Sequence, residues 1–302
     1  MKQVLAASRP FSWVNTAYPF AAGYLLVTGG RVDAAFVVGT LYFLFPYNLL
    51  MYGINDVFDY ASDLRNPRKG GIEGALADPA TARTVHRRIL WAALATNVPL
   101  LAWLGWLGGS GGSDGASAPG GGAAAGLVLG VVVFLVVAYS APVLRFKERP
   151  GLDSATSAMH FVGPLLYALV LTGTGVTGRE TWPVLVAFFL WGTASHAFGA
   201  VQDVRADREG RIGSVATVLG AHATVVGATV AYAGAAAVLV VLPWPGWLAA
   251  LLPLPYALNT ARFWSVRDDD CERANQGWRV FLWLNLAAGF LLTMLLIALS
   301  RT

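Results

Sequence analysis

Runs of about twenty apolar residues recur along the whole chain, the length a helix needs to cross the hydrocarbon core of a bilayer. Nine runs are expected as spans, at 13–30, 34–55, 88–107, 124–141, 155–174, 181–201, 215–242, 244–262 and 279–299. All are read as helices, because lipid offers backbone N–H and C=O groups no partner. The pattern is weakest around Pro243, Pro245, Pro253 and Pro255, which interrupt helical periodicity. Only 13% of the 302 residues are charged, about half the share a soluble domain uses to cover its surface. The 11 Trp, 15 Phe and 10 Tyr exclude disorder as firmly. An all-α polytopic membrane protein of one domain, 1–302, is expected. Residues 108–122 form a Gly-rich flexible loop on the non-cytoplasmic side.

The few charges are sorted. Of 21 basic residues, 18 fall in the N-terminal tail and in the loops 56–88, 142–154, 202–214 and 262–279. Positive charge marks the cytoplasmic side, so the N-terminus and these loops are placed there and the C-terminus outside, in a plasma-membrane protein. The acidic residues follow, 14 of 17 on the same face, which the topology rule does not require. Thirty-eight charged residues make a poor phosphate-tracking surface, so the net +4 does not point to nucleic acid. The single Cys271 allows no internal disulfide or cysteine cluster. Arg9-Pro10 breaks the N-terminal run early, and no cleavable signal is expected.

Chemistry is concentrated at two span ends. After PYNLLMYGI comes Asn55-Asp56-Val57-Phe58-Asp59-Tyr60-Ala61-Ser62-Asp63. On a continuous helix Asp56, Asp59 and Asp63 fall within an arc of roughly 60°, with Asn48 and Asn55 extending the polar stripe toward the membrane. Clustered carboxylates repel unless a cation sits among them. Magnesium suits such a set, since it takes one or two carboxylates, keeps waters and completes its octahedron with substrate phosphate oxygens. One acidic helix end alone is as well explained by solvation. A second cluster changes this: Asp203 and Asp207 stand at i and i+4 beyond the end of span six. Ionisable residues at membrane helices are costly and point to function. Two such patches can each bind a magnesium and hold a diphosphate. Cations come from Tyr139-Ser140-Ala141-Pro142-Val143-Leu144-Arg145-Phe146-Lys147 and from Arg65-Asn66-Pro67-Arg68-Lys69-Gly70-Gly71, whose glycines let the backbone approach an anion. Either loop alone also fits simple topological charge. Asp268-Asp269-Asp270-Cys271-Glu272 imitates a diphosphate-binding box but is read as a solvated loop. His86, His160, His196 and His222 are too dispersed for a histidine metal site.

Asn-Asp-x-x-Asp-x-x-x-Asp at 55–63, Tyr-Ser-x-Pro…Arg-x-Lys at 139–147 and Asp-x-x-x-Asp at 203–207 together resemble the UbiA superfamily of intramembrane prenyltransferases. The resemblance spans nearly the whole chain and includes the nine-helix count. It implies a bundle around a central cavity open to the cytoplasmic side. It implies that Asp56, Asp59, Asp63, Asp203 and Asp207 hold magnesium and a prenyl diphosphate. Asn55, Arg65, Arg68, Lys69, Tyr139, Arg145, Lys147 and Arg211 would then serve the diphosphate. The chain departs from quinone-pathway members, which follow the first motif with Arg-Thr-x-x-Arg-Pro; here 63–76 reads DLRNPRKGGIEGAL. With LRFKERPGLD at 144–153, that segment looks like the actinobacterial and haloarchaeal lycopene elongases. The implied donor is dimethylallyl diphosphate and the implied acceptor lycopene, with carotenoid-pathway enzymes as possible partners. An aromatic quinone precursor or a glycerophosphate lipid is the alternative acceptor. Phe58, Tyr60, Tyr139 and Phe198 are candidates, by proximity in sequence, to stabilise an allylic cation. CDP-alcohol phosphotransferases carry an Asp-Gly-x-x-Ala-Arg segment that is absent here. A transporter would place its charges near the midplane, often in repeated halves, and neither feature is seen.

Overall fold

Helix is the only regular structure among the described residues, 2–64, 77–109 and 121–300, of the computed structural model. Seven stretches are long and apolar enough to cross a membrane: Ala34–Phe58, Ala82–Leu107, Gly122–Ser140, Leu152–Leu171, Thr181–Val201, Ala221–Leu239 and Cys271–Leu299. The other two expected spans are shorter or broken, each for a local reason. Helix α2 (Trp13–Val27), which follows the short α1 (Lys2–Ala7), has 15 residues and is followed by Gly29 and Gly30 in the left-handed region. The run at 244–262 divides into a 3-10 turn, Gly246–Leu251, and a separate eight-residue helix, Leu254–Ala261. Prolines cannot donate to a helical ladder, and this run carries three, Pro245, Pro253 and Pro255. The run expected to begin at 215 is divided at Gly220, whose φ of 82° favours glycine.

The chain forms two compact units. The first comprises residues 1–145 and 163–175. It contains α1, α2, α3 (Ala34–Leu44), α4 (Pro46–Phe58), α5 (Tyr60–Asp63), α6 (Ala82–Gly109), α7 (Gly122–Ser140) and the second half of α8 (Leu152–Leu171). Pro46 lacks the N–H that would continue α3, so it starts α4 instead. Apolar burial does not drive helices together in lipid; close packing and internal hydrogen bonds do. Both are present. Phe20, Phe43, Tyr47 and Tyr167 are fully buried and stack at centroid distances of 5.1 to 6.0 Å. The Phe20 ring lies directly on Gly39, where any side chain would collide with it. Asn48, on the stripe expected to lead to the aspartates, is a structural tie instead. Its Nδ2 donates to Thr16 Oγ1 at 2.6 Å and to Phe43 O at 2.8 Å, joining α2, α3 and α4. Asn97 Nδ2 likewise ties α6 to Pro46 O at 2.8 Å.

The second unit comprises residues 146–162 and 176–302. It holds the first half of α8, then α9 (Thr181–Val201), α10 (Val204–Glu209), α11 (Val215–Leu219), α12 (Ala221–Leu239), α13 (Leu254–Ala261) and α14 (Ala274–Leu299). Its core again couples aromatics to small residues. Gly277 of α14 faces the rings of Phe198 and Phe263, and a Cβ there would lie 2.6 Å from each. Phe198 therefore packs in this core rather than standing ready for a substrate cation. Ser195 Oγ and Tyr232 OH lie 2.9 Å apart, fastening α9 to α12.

Candidate active site

The first aspartate motif lies in the first unit, where a helix breaks. Asp56 occupies the last turn of α4, and Asp59 is its C-cap, its N–H bonded to Asn55 O at 2.9 Å. The helix restarts at Tyr60, so the stripe computed for one continuous helix holds only as far as Asp59. Asp56 and Asp59 are both buried, at 7% and 5% exposure, within one turn of each other. Two desolvated carboxylates this close require cations. Arg9 Nη2 lies 3.1 Å from Asp56 Oδ1, and its guanidinium sits 4.4 Å from the centroid of the Tyr52 ring. Arg145 Nη2 lies 3.4 Å from Asp59 Oδ1. Asn55 is half-buried one residue before Asp56, and Tyr139 is half-buried in the last turn of α7. Tyr60 OH donates to Ala77 O at 2.9 Å and its ring meets His86 edge-on, so it anchors the start of α6. Phe58 is exposed.

Sequence reading missed Arg9, which counted only as a basic residue of the N-terminal tail. Its partner is 47 positions away, and no spacing rule connects them. A structural signal does. The non-glycine residues with left-handed φ among those described are Arg9 (49°), Val143 (76°), Arg145 (38°) and Arg211 (57°). Such conformations cost on the order of 1–3 kcal/mol and persist where the surroundings over-determine them. Three are arginines of the charged segments, and the fourth shares the turn that delivers Arg145.

The second motif lies in the second unit, just past α9. Asp203 precedes α10, and Asp207 N–H bonds to Asp203 O at 2.8 Å, so the expected one-turn spacing is realised. Both aspartates are half-buried. Gln202 connects this corner to α14 by accepting from Asn275 Nδ2 at 2.6 Å. Arg211 is exposed, with its N–H bonded to Arg208 O. Lys147 sits in a 3-10 turn, Phe146–Glu148, and burial pushes its ammonium down to about 8. The backbone of Asp63 ends α5. Arg65, Arg68 and Lys69 lie outside the described residues, as does most of the 108–122 loop.

The acidic run at 268–272 supports this corner. Asp268 accepts from Ala221 N–H at 2.7 Å and pairs with Arg208 at 2.5 Å, and these contacts hold its carboxyl below the usual range. Arg208 also donates to Thr217 O at 2.8 Å. Glu272 pairs with Arg205 at 2.7 Å. The Arg267 N–H and the Arg273 guanidinium similarly hold Asp270 low. The arginines flanking the second motif thus face this loop, and the imitation box is a set of counter-charges.

Among the described residues no three His, Cys, Asp or Glu side chains gather into a protein-only metal cage. Magnesium does not need one, since one or two carboxylates suffice when water and phosphate complete the shell. Asp56 with Asp59, and Asp203 with Asp207, are oxygen-only donor pairs of that kind.

Comparison with known proteins shows the family and the fold. The family model of the UbiA prenyltransferase family matches residues 16–286. A lycopene elongase/hydratase of Corynebacterium glutamicum is 46% identical over 301 residues, covering 100% of this chain and 98% of that protein. The C(50) beta-cyclic carotenoids biosynthesis protein LbtBC of a Dietzia species is 50% identical over 292 residues, 96% of this chain and 63% of that one. A UbiA homologue from Archaeoglobus fulgidus, solved with DMAPP and Mg2+, shares the fold. Its TM-score is 0.67 at 17% identity, with 95% of this chain and 98% of that chain covered. With its helical fold, its paired carboxylates at two helix ends and a family match across most of its length, this chain belongs to the UbiA prenyltransferase family.

Proposed function

We propose that this protein transfers a dimethylallyl group from its diphosphate to lycopene, with magnesium as cofactor, in the synthesis of long-chain carotenoids. The observation that carries the chemistry is the pair of buried carboxylates, Asp56 and Asp59, each countered by an arginine. The choice of acceptor is supported by the full-length likeness to the Corynebacterium lycopene elongase/hydratase. In this reading 1–302 is one catalytic domain with nine crossings, the two short segments included. The N-terminus and charged loops are cytoplasmic, the C-terminus is outside, and the cavity opens to the cytoplasm of a plasma membrane.

Asp56, Asp59, Asp63, Asp203 and Asp207 hold the metal and, through it, the diphosphate. Asn55, Arg65, Arg68, Lys69, Tyr139, Arg145, Lys147 and Arg211 bind or orient the diphosphate oxygens. Magnesium supplies Lewis acidity to the leaving diphosphate. Fixed guanidiniums beside it stabilise charge as it develops, at no cost of reorganisation. The apolar helices exclude water until a π-bond of the acceptor meets the allylic cation.

The test incubates purified protein and magnesium with dimethylallyl or longer prenyl diphosphates, offering lycopene, a dihydroxynaphthoate or a glycerophosphate lipid. Dimethylallyl transfer to lycopene is expected. Transfer only to the aromatic acid or the lipid overturns the carotenoid acceptor and leaves the family chemistry intact.

A further inference from the structure

One polar cluster in the second unit lies apart from the diphosphate-binding aspartates. His196 sits on α9, five residues before that helix ends at Val201 and seven before Asp203. An ionisable side chain within a membrane helix is costly unless it has work to do. Ser154 Oγ and His196 Nδ1 are 3.0 Å apart. Beside Ser154 in the first turn of α8, Asp153 is fully buried and interacts electrostatically with the same imidazole. Asp153 Oδ2 accepts from Val215 N–H at 2.7 Å, a structural bond that caps α11. Its Oδ1 is buried and has no hydrogen-bond partner among the described residues. Capping alone does not account for a second desolvated carboxylate oxygen, whose cost is several kcal/mol unless a charge compensates it. Asp153 is thus placed to stabilise an imidazolium once the His196 ring takes up a proton.

Resting on the prenyl-transfer reading above, we propose that His196 is the base that terminates the reaction, with Ser154 and Asp153 as its positioning residues. The C1–O bond of the donor breaks and both electrons leave with diphosphate. The terminal C=C of the polyene supplies two electrons for the new C–C bond, which leaves a tertiary cation on the acceptor. A neighbouring C–H bond then breaks, its electron pair forms a new C=C, and His196 Nε2 takes the proton. When water adds first, its oxygen forms the C–O bond and the surplus proton passes to bulk water without the imidazole. Ser154 holds Nδ1, Asp153 balances the imidazolium, and the proton passes on to bulk water. In this reading diphosphate binds at the aspartates beyond the end of α9, so the terminating group is distinct from the ionising one. The departing diphosphate is the rival base.

The experiment uses the full chain, purified with magnesium, dimethylallyl diphosphate and lycopene, and compares wild type with His196→Gln, Asp153→Asn and Ser154→Ala. Two quantities are read: the rate of diphosphate release, and the ratio of deprotonated to hydrated product by mass spectrometry. For His196→Gln, release is expected within about threefold of wild type while the product ratio shifts at least about tenfold toward the alcohol, as for loss of a general base. Asp153→Asn and Ser154→Ala shift the ratio in the same direction by about two- to fivefold, as outer partners do. Ser154→Ala removes one hydroxyl and keeps the test open if His196→Gln misfolds. An unchanged ratio in folded His196→Gln overturns the proposal in favour of diphosphate. A parallel fall of release and product in every variant overturns it in favour of a structural role. Wild-type protein that releases no diphosphate refutes the prenyl-transfer reading itself, and the base with it.

Discussion

The two aspartate motifs each set a pair of carboxylates about one turn apart, and they differ in construction. In the first, Asp56 and Asp59 are withdrawn from solvent, and their cations reach them from sequence positions 47 and 86 residues away. In the second, Asp203 and Asp207 are half-buried, and the neighbouring Arg205 and Arg208 are engaged at exposed positions with the 268–272 loop. A desolvated carboxylate that loses its partner leaves an uncompensated charge, whereas an exposed ion pair contributes about 0–1 kcal/mol. Local pattern therefore locates the candidate carboxylates, and burial distinguishes how each pair is supported.

The largest effect belongs to the carboxylates themselves. Asp59→Ala and Asp203→Ala are each expected to lower turnover by about a thousandfold or more, the scale of losing several kcal/mol of metal-assisted stabilisation, while folded protein remains in the membrane. Retained turnover in both variants would remove the two-magnesium reading. The supporting arginines come next and break the symmetry. Arg9→Ala and Arg145→Ala are expected to lower kcat/KM by about 10- to 100-fold, as loss of an outer partner of a metal ligand does. Arg205→Ala and Arg208→Ala should cost less than about threefold, because exposed pairs are weak. Equal losses in all four would show that burial does not set the hierarchy.

Lys147 provides a pH axis. Its shift is downward, to about 8, so the ammonium is charged below that pH and neutral above it. Donor affinity should weaken as pH rises through about 8, and Lys147→Arg, which stays protonated, should flatten the profile. A donor KM independent of pH from 7 to 9 in wild type would remove Lys147 from the diphosphate-binding set. The smallest effect is on stability: Asp268→Ala frees Arg208 and the N-terminus of α12, and thermal unfolding should report a loss of about 0.5–2 kcal/mol.

Much of this was legible in the sequence, for reasons that differ by residue. Helical spans announce themselves because lipid requires continuous apolar length, and seven expected spans correspond to helices that meet that requirement. The acidic imitation at 268–272 was readable as a loop because it falls between the last two apolar runs, 244–262 and 279–299. Asp203 and Asp207 were readable because i, i+4 spacing is local. The break at Asp59 was not, since Tyr60-Ala61-Ser62 contains neither Gly nor Pro. Arg9 was not, because its role depends on a left-handed backbone and a distant partner. The pairing of Ser154 with His196 was hidden for the same reason, being a contact between two helices 42 residues apart.

Equilibrium binding of a non-reactive thiolo analogue of dimethylallyl diphosphate, titrated against magnesium, tests the central claim without any acceptor. The account predicts magnesium-dependent binding to wild-type protein, weakened at least about a hundredfold in both Asp59→Asn and Asp203→Asn, since each removes a charged metal ligand. Binding that is independent of magnesium, or unchanged in either variant, would contradict it.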